Sequence, residues 1–345
     1  MTDLVVSTKE GLLCVPGQFY IDPWQPVERA VITHAHSDHA RPGHAHYLAA
    51  LPGANILKIR LGDIRLDTLA YGERITHNGV TISFHPAGHV LGSAQVRLEY
   101  KGEVWVLSGD YKLQPDGTCD VFESVACDTF VTESTFGLPI YRWKAVDIIF
   151  EDINHWWRRN AAEGRASLLY CYSFGKAQRI LKGIDSTIGP IVCHGATETL
   201  NRIYRASGVS LPDTVSVSDV NSKNGFRDAL IIAPPSAARS PWTRRFGDYS
   251  DAFASGWMLL RGARRRRGVD RGFVLSDHAD WPGLMEAITS TGARRVIVTH
   301  GHVDVMVRWL RERGLQASAF DTAYGKEEED DSTANEAIAF KESHA

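Results

Sequence analysis

The run Val31-Ile32-Thr33-His34-Ala35-His36-Ser37-Asp38-His39 places three imidazoles and a carboxylate within six residues, directly after an apolar segment. Side chains at the end of a strand, and in the loop that follows it, can converge on one point, as a metal site with several ligands requires. Imidazole with carboxylate suits zinc, manganese or iron rather than calcium or a thiolate-bound ion. A structural zinc site would close with four ligands and favour cysteine. None of the five cysteines, Cys14, Cys119, Cys127, Cys171 and Cys193, lies near the run. They show no CxxC pair, which argues for reduced thiols packed as small core residues.

Strands and turns must hold such a cluster. The first third of the chain reads as short β-branched strands divided by Gly, Pro and Asn turns: Arg29–Thr33, Thr81–His85, Ala94–Tyr100, Glu103–Ser108 and Thr129–Thr132. From Lys144 to Asn160 the period changes. Val146, Ile149, Phe150, Ile153, Trp156 and Trp157 recur at three- and four-residue steps, which predicts an amphipathic helix with both tryptophans in a core or interface. Strand-like runs return at Ser167–Tyr172, Pro190–Cys193, Val215–Val217 and Leu230–Ala233, between helical patterns, so a parallel sheet is expected there. Gly272–Leu275 and Arg295–Thr299 form a last strand set, and Val303–Arg313 a last helix.

The 345 residues are 43% hydrophobic and 23% charged, the balance of a soluble globular protein with room for two domains. No apolar run approaches the ~20 residues that span a bilayer. The first fifteen residues, interrupted by Lys9 and Glu10, do not read as an export signal, so a cytoplasmic protein is expected. The net charge of −3 conceals a division. Residues 142–271 hold 21 Lys and Arg against 12 Asp and Glu, whereas residues 326–345 hold 2 against 7. A basic middle suggests a polyanionic partner. The acidic end, poor in large apolar groups, reads as disordered.

The histidine run resembles the HxHxDH signature of the metallo-β-lactamase superfamily, without departure. Further segments fall in the family's order: Asp22 in Phe19-Tyr20-Ile21-Asp22, His89 in Pro86-Ala87-Gly88-His89, Asp110 in Leu107-Ser108-Gly109-Asp110-Tyr111, and His300 in Ile297-Val298-Thr299-His300-Gly301. The resemblance implies an αββα sandwich in which His34, His36 and His89 hold one divalent ion and Asp38, His39 and His300 a second. Asp110 would bridge the two, and Asp22 would support the ligands from behind. Zinc is the first expectation and manganese the other. Two such ions roughly 3.5–4 Å apart lower the pKa of a shared water and offset charge on an attacked phosphoryl group.

The basic stretch between Asp110 and His300 further resembles the β-CASP nucleases, in which an α/β domain is inserted into this fold. Glu133 matches their motif A acid, His278 their motif B histidine and His300 their motif C histidine. Tyr172-Ser173-Phe174-Gly175-Lys176-Ala177-Gln178 and Ala254-Ser255-Gly256-Trp257-Met258 resemble stretches of the inserted domain. The implied organisation is a metallo-β-lactamase domain at 1–143 and 270–325, the β-CASP domain at 144–269 and the acidic tail at 326–345. By the same resemblance Glu133 orients His278, which contacts the scissile phosphate or protonates the leaving oxygen, and Asp38 belongs to the catalytic set. The substrate strand would lie in the cleft between the domains.

A histidine at motif C is more typical of RNA-acting members. Phe136-Gly137-Leu138-Pro139-Ile140-Tyr141-Arg142-Trp143 and Arg261-Gly262-Ala263-Arg264-Arg265-Arg266-Arg267 are instead similar to the bacterial DNA-ligase-associated exonucleases, found with an ATP-dependent ligase and a helicase. A DNA exonuclease of repair is therefore the first expectation. An RNA-processing nuclease of the RNase J or polyadenylation-factor type is the alternative. Lys176 and Arg264, Arg265, Arg266 and Arg267 are the candidate phosphate contacts, a solvated cationic face being the plain alternative. Trp143, Phe174, Trp242 and Trp257 could stack on bases, although core packing is the commoner use of such residues.

Overall fold

The computed structural model describes residues 3–220 and 226–324, so the acidic segment expected at 326–345 lies outside the described residues. The chain is α/β and divides into two compact units. The first comprises the chain up to Pro115, Cys119–Arg142 and the chain from His278; the second comprises Asp116–Thr118 and Trp143–Asp277.

The first unit opens with a six-stranded sheet of β1 (Val5–Ser7), β2 (Leu12–Cys14), β3 (Phe19–Ile21), β4 (Arg29–Ile32), β5 (His46–Ala50) and β6 (Leu66–Leu69) in sequential order, with helix α1 (Ala54–Leu61) between the last two. The first three pair antiparallel, and from β3 onward the pairing is parallel. Four strands then form an antiparallel meander: β7 (Arg74–His77), β8 (Val80–Pro86), β9 (Ala94–Tyr100) and β10 (Glu103–Leu107). Next, β11 (Thr129–Ser134) lies parallel to β10.

In the second unit the amphipathic period at Lys144–Asn160 becomes α2 (Val146–Ala162), whose Trp156 and Trp157 are fully buried in that unit's core. An entirely parallel sheet follows, built from β12 (Ala166–Tyr170), β13 (Ile191–Cys193), β14 (Val215–Ser216), β15 (Leu230–Ala233), β16 (Tyr249–Ala254) and β17 (Arg271–Phe273), in the order β14-β13-β15-β12-β16-β17. Helices α3 (Lys176–Gly183), α4 (Gly195–Ala206) and α5 (Arg261–Arg267) belong to the same unit. Leu230 and Ile232 enter one apolar cluster and Ile231 and Ala233 another, so both faces of the sheet are covered. An unbroken apolar run is what a parallel strand buried on both faces demands.

The chain then returns to the first unit through α6 (Trp281–Ser290), β18 (Arg295–Gly301), α7 (Val303–Glu312) and β19 (Gln316–Ala319). Strand β18 pairs parallel with β11, and β19 with β18, completing a seven-stranded sheet. Period-two alternation decides what each face of this sheet meets. Val96, Leu98, Trp105, Leu107, Val131 and Ile297 share a core with Leu12, Phe19, Ile21 and Val31 of the first sheet, so the two sheets pack face to face. Their neighbours Val106, Phe130, Val296 and Val298 instead bury Leu284 and Ile288 of α6 and Met306 and Leu310 of α7. The five cysteines form no disulfide. No helix of the described residues is long and apolar enough to cross a membrane.

Candidate metal centre

Every candidate ligand stands at or just beyond the C-terminal end of a strand of the first unit. His34, His36, Asp38 and His39 follow β4 in a tight turn closed by the His39 and Ala40 N–H groups on the His36 carbonyl. His89 follows β8, and Asp110 follows β10. Two glycines allow the close approach. A Cβ at Gly88 would meet the Lys112 carbonyl oxygen, and one at Gly109 would lie 2.7 Å from the Thr33 Cβ; both residues have positive φ. His300 lies in β18 where the pairing with β11 slips: Thr132 opposes Val298 and Ser134 opposes Gly301, leaving Thr299 and His300 opposite Glu133. Such a bulge turns a side chain out of the regular pleat.

The result is one buried constellation with Asp110 at its centre. His36 Nδ1 lies 3.1 Å from His34 Nε2 and 3.0 Å from His89 Nε2. Asp110 Oδ2 faces this group, 3.6 Å from His34 Nε2 and 3.8 Å from His89 Nε2. Its other oxygen faces a second group: Oδ1 lies 3.5 Å from His39 Nε2 and 3.3 Å from His300 Nε2. Asp38 Oδ2 is 3.6 Å from His39 Nε2. Tetrahedral ligands at zinc distances stand roughly 3.3 Å apart, so both groups have the spacing of donors around an ion. His39 Nε2 and Asp110 Oδ1 are buried without a hydrogen-bond partner among the described residues, which such an ion would remedy. The donor set fits the implied metals.

Hydrogen bonds behind the ligands fix which nitrogen faces inward. The Asp22 carboxylate accepts from the Thr33 N–H at 2.8 Å and the Thr33 hydroxyl at 2.5 Å. Having donated its proton, that hydroxyl accepts from His34 Nδ1 at 3.1 Å, leaving Nε2 as the lone-pair nitrogen. Asp22 also accepts from His39 Nδ1 at 2.7 Å. Thr299 repeats the device, donating to the Thr132 carbonyl and accepting from His300 Nδ1 at 2.9 Å. The two threonines belong to the similar runs Val31-Ile32-Thr33-His34-Ala35-His36 and Ile297-Val298-Thr299-His300-Gly301-His302, a repetition that marks them in the sequence.

Electrostatics follow from burial and neighbours. Desolvation, reinforced by His39, holds His34 well below the usual histidine range. His39 is also desolvated, but Asp110, Asp38 and Asp22 outweigh this and push it up to about 10. Desolvation opposes the charge on Asp110, yet the surrounding imidazoles, His39 foremost, hold it well below the carboxylate range. Beside this centre His278 Nδ1 donates to the Glu133 carboxylate at 3.0 Å, and Glu133 Oε1 also accepts the Tyr111 N–H at 2.8 Å. Donor atoms of Asp110, Glu133 and His278 lie within 4.8 Å of one another.

The second unit corrects one expectation. Lys176, expected from the sequence as a phosphate contact, is only 4% exposed, with Nζ 3.0 Å from Asp277 Oδ2. Arg179 Nη1 lies 3.2 Å from the other Asp277 oxygen and donates to the Ser276 carbonyl, so Lys176 belongs to an internal ion-pair cluster. Arg264, Arg265 and Arg266 are exposed on α5, whereas Arg267 is half-buried with its guanidinium 4.3 Å from the Phe253 ring centre. Phe174 is buried.

The chain matches no protein-family model. A probable DNA ligase of Opitutus terrae is 31% identical over 319 residues, 91% of this chain and 31% of that protein. Endoribonuclease ysh-1 of Neurospora crassa is 29% identical over 196 residues, 52% of this chain and 22% of that protein. The chain thus spans about a third or less of these relatives. A crystal structure of a protein of unknown function from Enterococcus faecalis V583 superimposes with a TM-score of 0.58 at 11% identity, covering 85% of this chain and 79% of the other, and shows likeness of fold alone.

Proposed function

We propose, for a chain that belongs to the β-CASP nucleases of the metallo-β-lactamase fold, a metal-dependent DNA exonuclease acting in repair. One observation carries the hydrolytic reading: the two oxygens of Asp110 face two separate groups of buried imidazoles. His34, His36 and His89 would hold one divalent ion, and Asp38, His39 and His300 the other, with Asp110 shared; zinc is the first candidate and manganese the second. Bound there, the pair supplies hydroxide at neutral pH and offsets charge gathering on the attacked phosphate. The facing sheets with α6 and α7 correspond on this reading to the αββα sandwich, and the second unit, which runs on past the expected 144–269 to Asp277 because β17 pairs with β16, to the inserted β-CASP domain.

The chain's own groups do the rest. Asp22, Thr33 and Thr299 hold the imidazoles in the tautomers that turn their lone pairs inward. Glu133, fixed by the Tyr111 N–H, engages His278 Nδ1, and the imidazole so oriented would contact the phosphate or deliver a proton to the departing oxygen. Exposed Arg264, Arg265 and Arg266 would track the phosphate backbone. A 5′-phosphate and a 3′-hydroxyl are the expected ends.

The ligase-named relative, matched along most of this chain, supports DNA as substrate; an ATP-dependent ligase and a helicase as partners, in the cytoplasm, rest on the sequence resemblance alone. The endoribonuclease-named relative and the histidine at position 300 support RNA as the second reading. DNA and RNA versions of one end-labelled strand, incubated with the metal-loaded protein, separate the two. Progressive shortening of DNA that stops with chelator is expected. Degradation of RNA alone defeats the DNA reading, and cleavage of neither defeats the nuclease reading.

A further inference from the structure

Tyr324 has no place in the ligand set, yet it touches the scaffold of one half of it. Its buried ring lies flat against His39, with centroids 4.7 Å apart and planes 14° from parallel. The same ring meets His300 edge-on at 5.8 Å. These imidazoles come from sequence-distant segments, the turn after β4 and the bulge in β18, and Tyr324 touches both. Trp24 also meets the tyrosine edge-on, at 5.6 Å. The ring is therefore in contact with both imidazoles and with a second aromatic.

Its hydroxyl acts on a third segment. It donates to the Asp22 carbonyl at 2.8 Å, with the Ile21 carbonyl 3.2 Å away. Asp22 has φ of 43°, left-handed backbone that a side-chain-bearing residue adopts at a cost of about 1 kcal/mol or more unless its surroundings impose it. That conformation presents the Asp22 carboxylate to Thr33 and to His39 Nδ1 together. Tyr324 thus stacks on one imidazole, meets a second edge-on, and steadies the backbone of the acid that orients the first. Neither His36 nor His89 is among its ring partners in the described contacts.

We infer that Tyr324 is a positioning residue for one ion only, the ion held by His39 and His300, and sets its affinity independently of the ion held by His34, His36 and His89. The inference rests on the two-ion reading of the centre. Loss of the ring would free two imidazoles to rotate, and supports of this kind are worth about 10–100-fold in metal affinity.

The test is calorimetric titration of the metal-free protein with Zn²⁺, with metal content measured after dialysis, for the wild type, Tyr324→Leu and Tyr324→Phe. The wild type is expected to bind two ions per chain. Tyr324→Leu should weaken one by about 10–100-fold and leave the other within about twofold. Tyr324→Phe, which keeps the stacked ring and loses the tie to Asp22, should fall between them. Parallel weakening of both ions, or of neither, in a folded variant overturns the inference. Circular dichroism of the metal-free forms reports folding, and if Tyr324→Leu does not fold, Tyr324→Phe decides by the same asymmetry. A wild type that binds fewer than two ions defeats the two-ion reading itself. Two wild-type ions with both variants unchanged defeat only the role of Tyr324.

Discussion

The first unit holds imidazoles and carboxylates around Asp110; the second holds Lys176 and Arg179 around Asp277. Both are buried clusters of ionisable groups, and their internal geometry separates their uses. In the second, cation meets anion at 3.0 and 3.2 Å, and the charges answer one another. In the first, nitrogens of like kind crowd to 3.0 Å, as at His36 and His89, around the two oxygens of Asp110. A protein leaves buried donors so arranged only where something else completes them. Charge content in a sequence is the same in both cases; direction is what distinguishes a site from a brace.

The comparison can be broken most forcefully at its centre. Asp110→Asn should lower phosphodiesterase turnover by about 10³-fold or more and reduce bound metal below two ions per chain, measured by metal analysis beside single-turnover cleavage. Full ion content with full activity would sink the bridging role. A step outward, Glu133→Gln should cost about 10²–10⁴-fold in rate while both ions remain, because it removes the charge that orients His278. Loss of ions in that variant would move Glu133 into the ligand set.

The brace calls for the opposite result. Lys176→Met removes one of the cations paired with Asp277 and should cost about 3 kcal/mol in denaturant unfolding, with ion content unchanged. A change in metal stoichiometry would erase the distinction drawn between the clusters. The smallest effect concerns a histidine with no acid beside it. Burial alone pushes His44 down to about 4, and its Nδ1 accepts the Val27 N–H, whereas carboxylates push His39 up to about 10. The folded state thus prefers neutral His44, so its stabilising contribution is present above the unfolded value near 6.5 and is lost as pH falls toward 4. Melting curves of the metal-free protein between pH 7 and 4.5 should fall less steeply for His44→Gln, by on the order of 1 kcal/mol. Equal slopes would show that His44 titrates alike in both states.

The elements were largely legible. Ala94–Tyr100 and Leu230–Ala233 end where the periodicity ends them, and α2 falls within two residues of its apolar pattern at either end. The pairing of Lys176 with Asp277 was not legible, because a cation's position in the chain says nothing about which acid folds onto it. Tyr324, alone near the end of the described residues, carries no spacing signal at all.

The sequence by itself determined what is local: strand and helix periods, the turn that gathers His34, His36 and His39, and a basic stretch between acidic ones. Covalent geometry fixes neighbours within a few residues, and periodicity reports which face of an element is buried. Tertiary structure alone decided that Asp110 turns one oxygen to each imidazole group, that the β18 bulge aims His300 inward, and that Tyr324 lies on His39. Those contacts join residues separated by tens to hundreds of positions, and only the packing of two sheets onto a shared core brings them within hydrogen-bonding range.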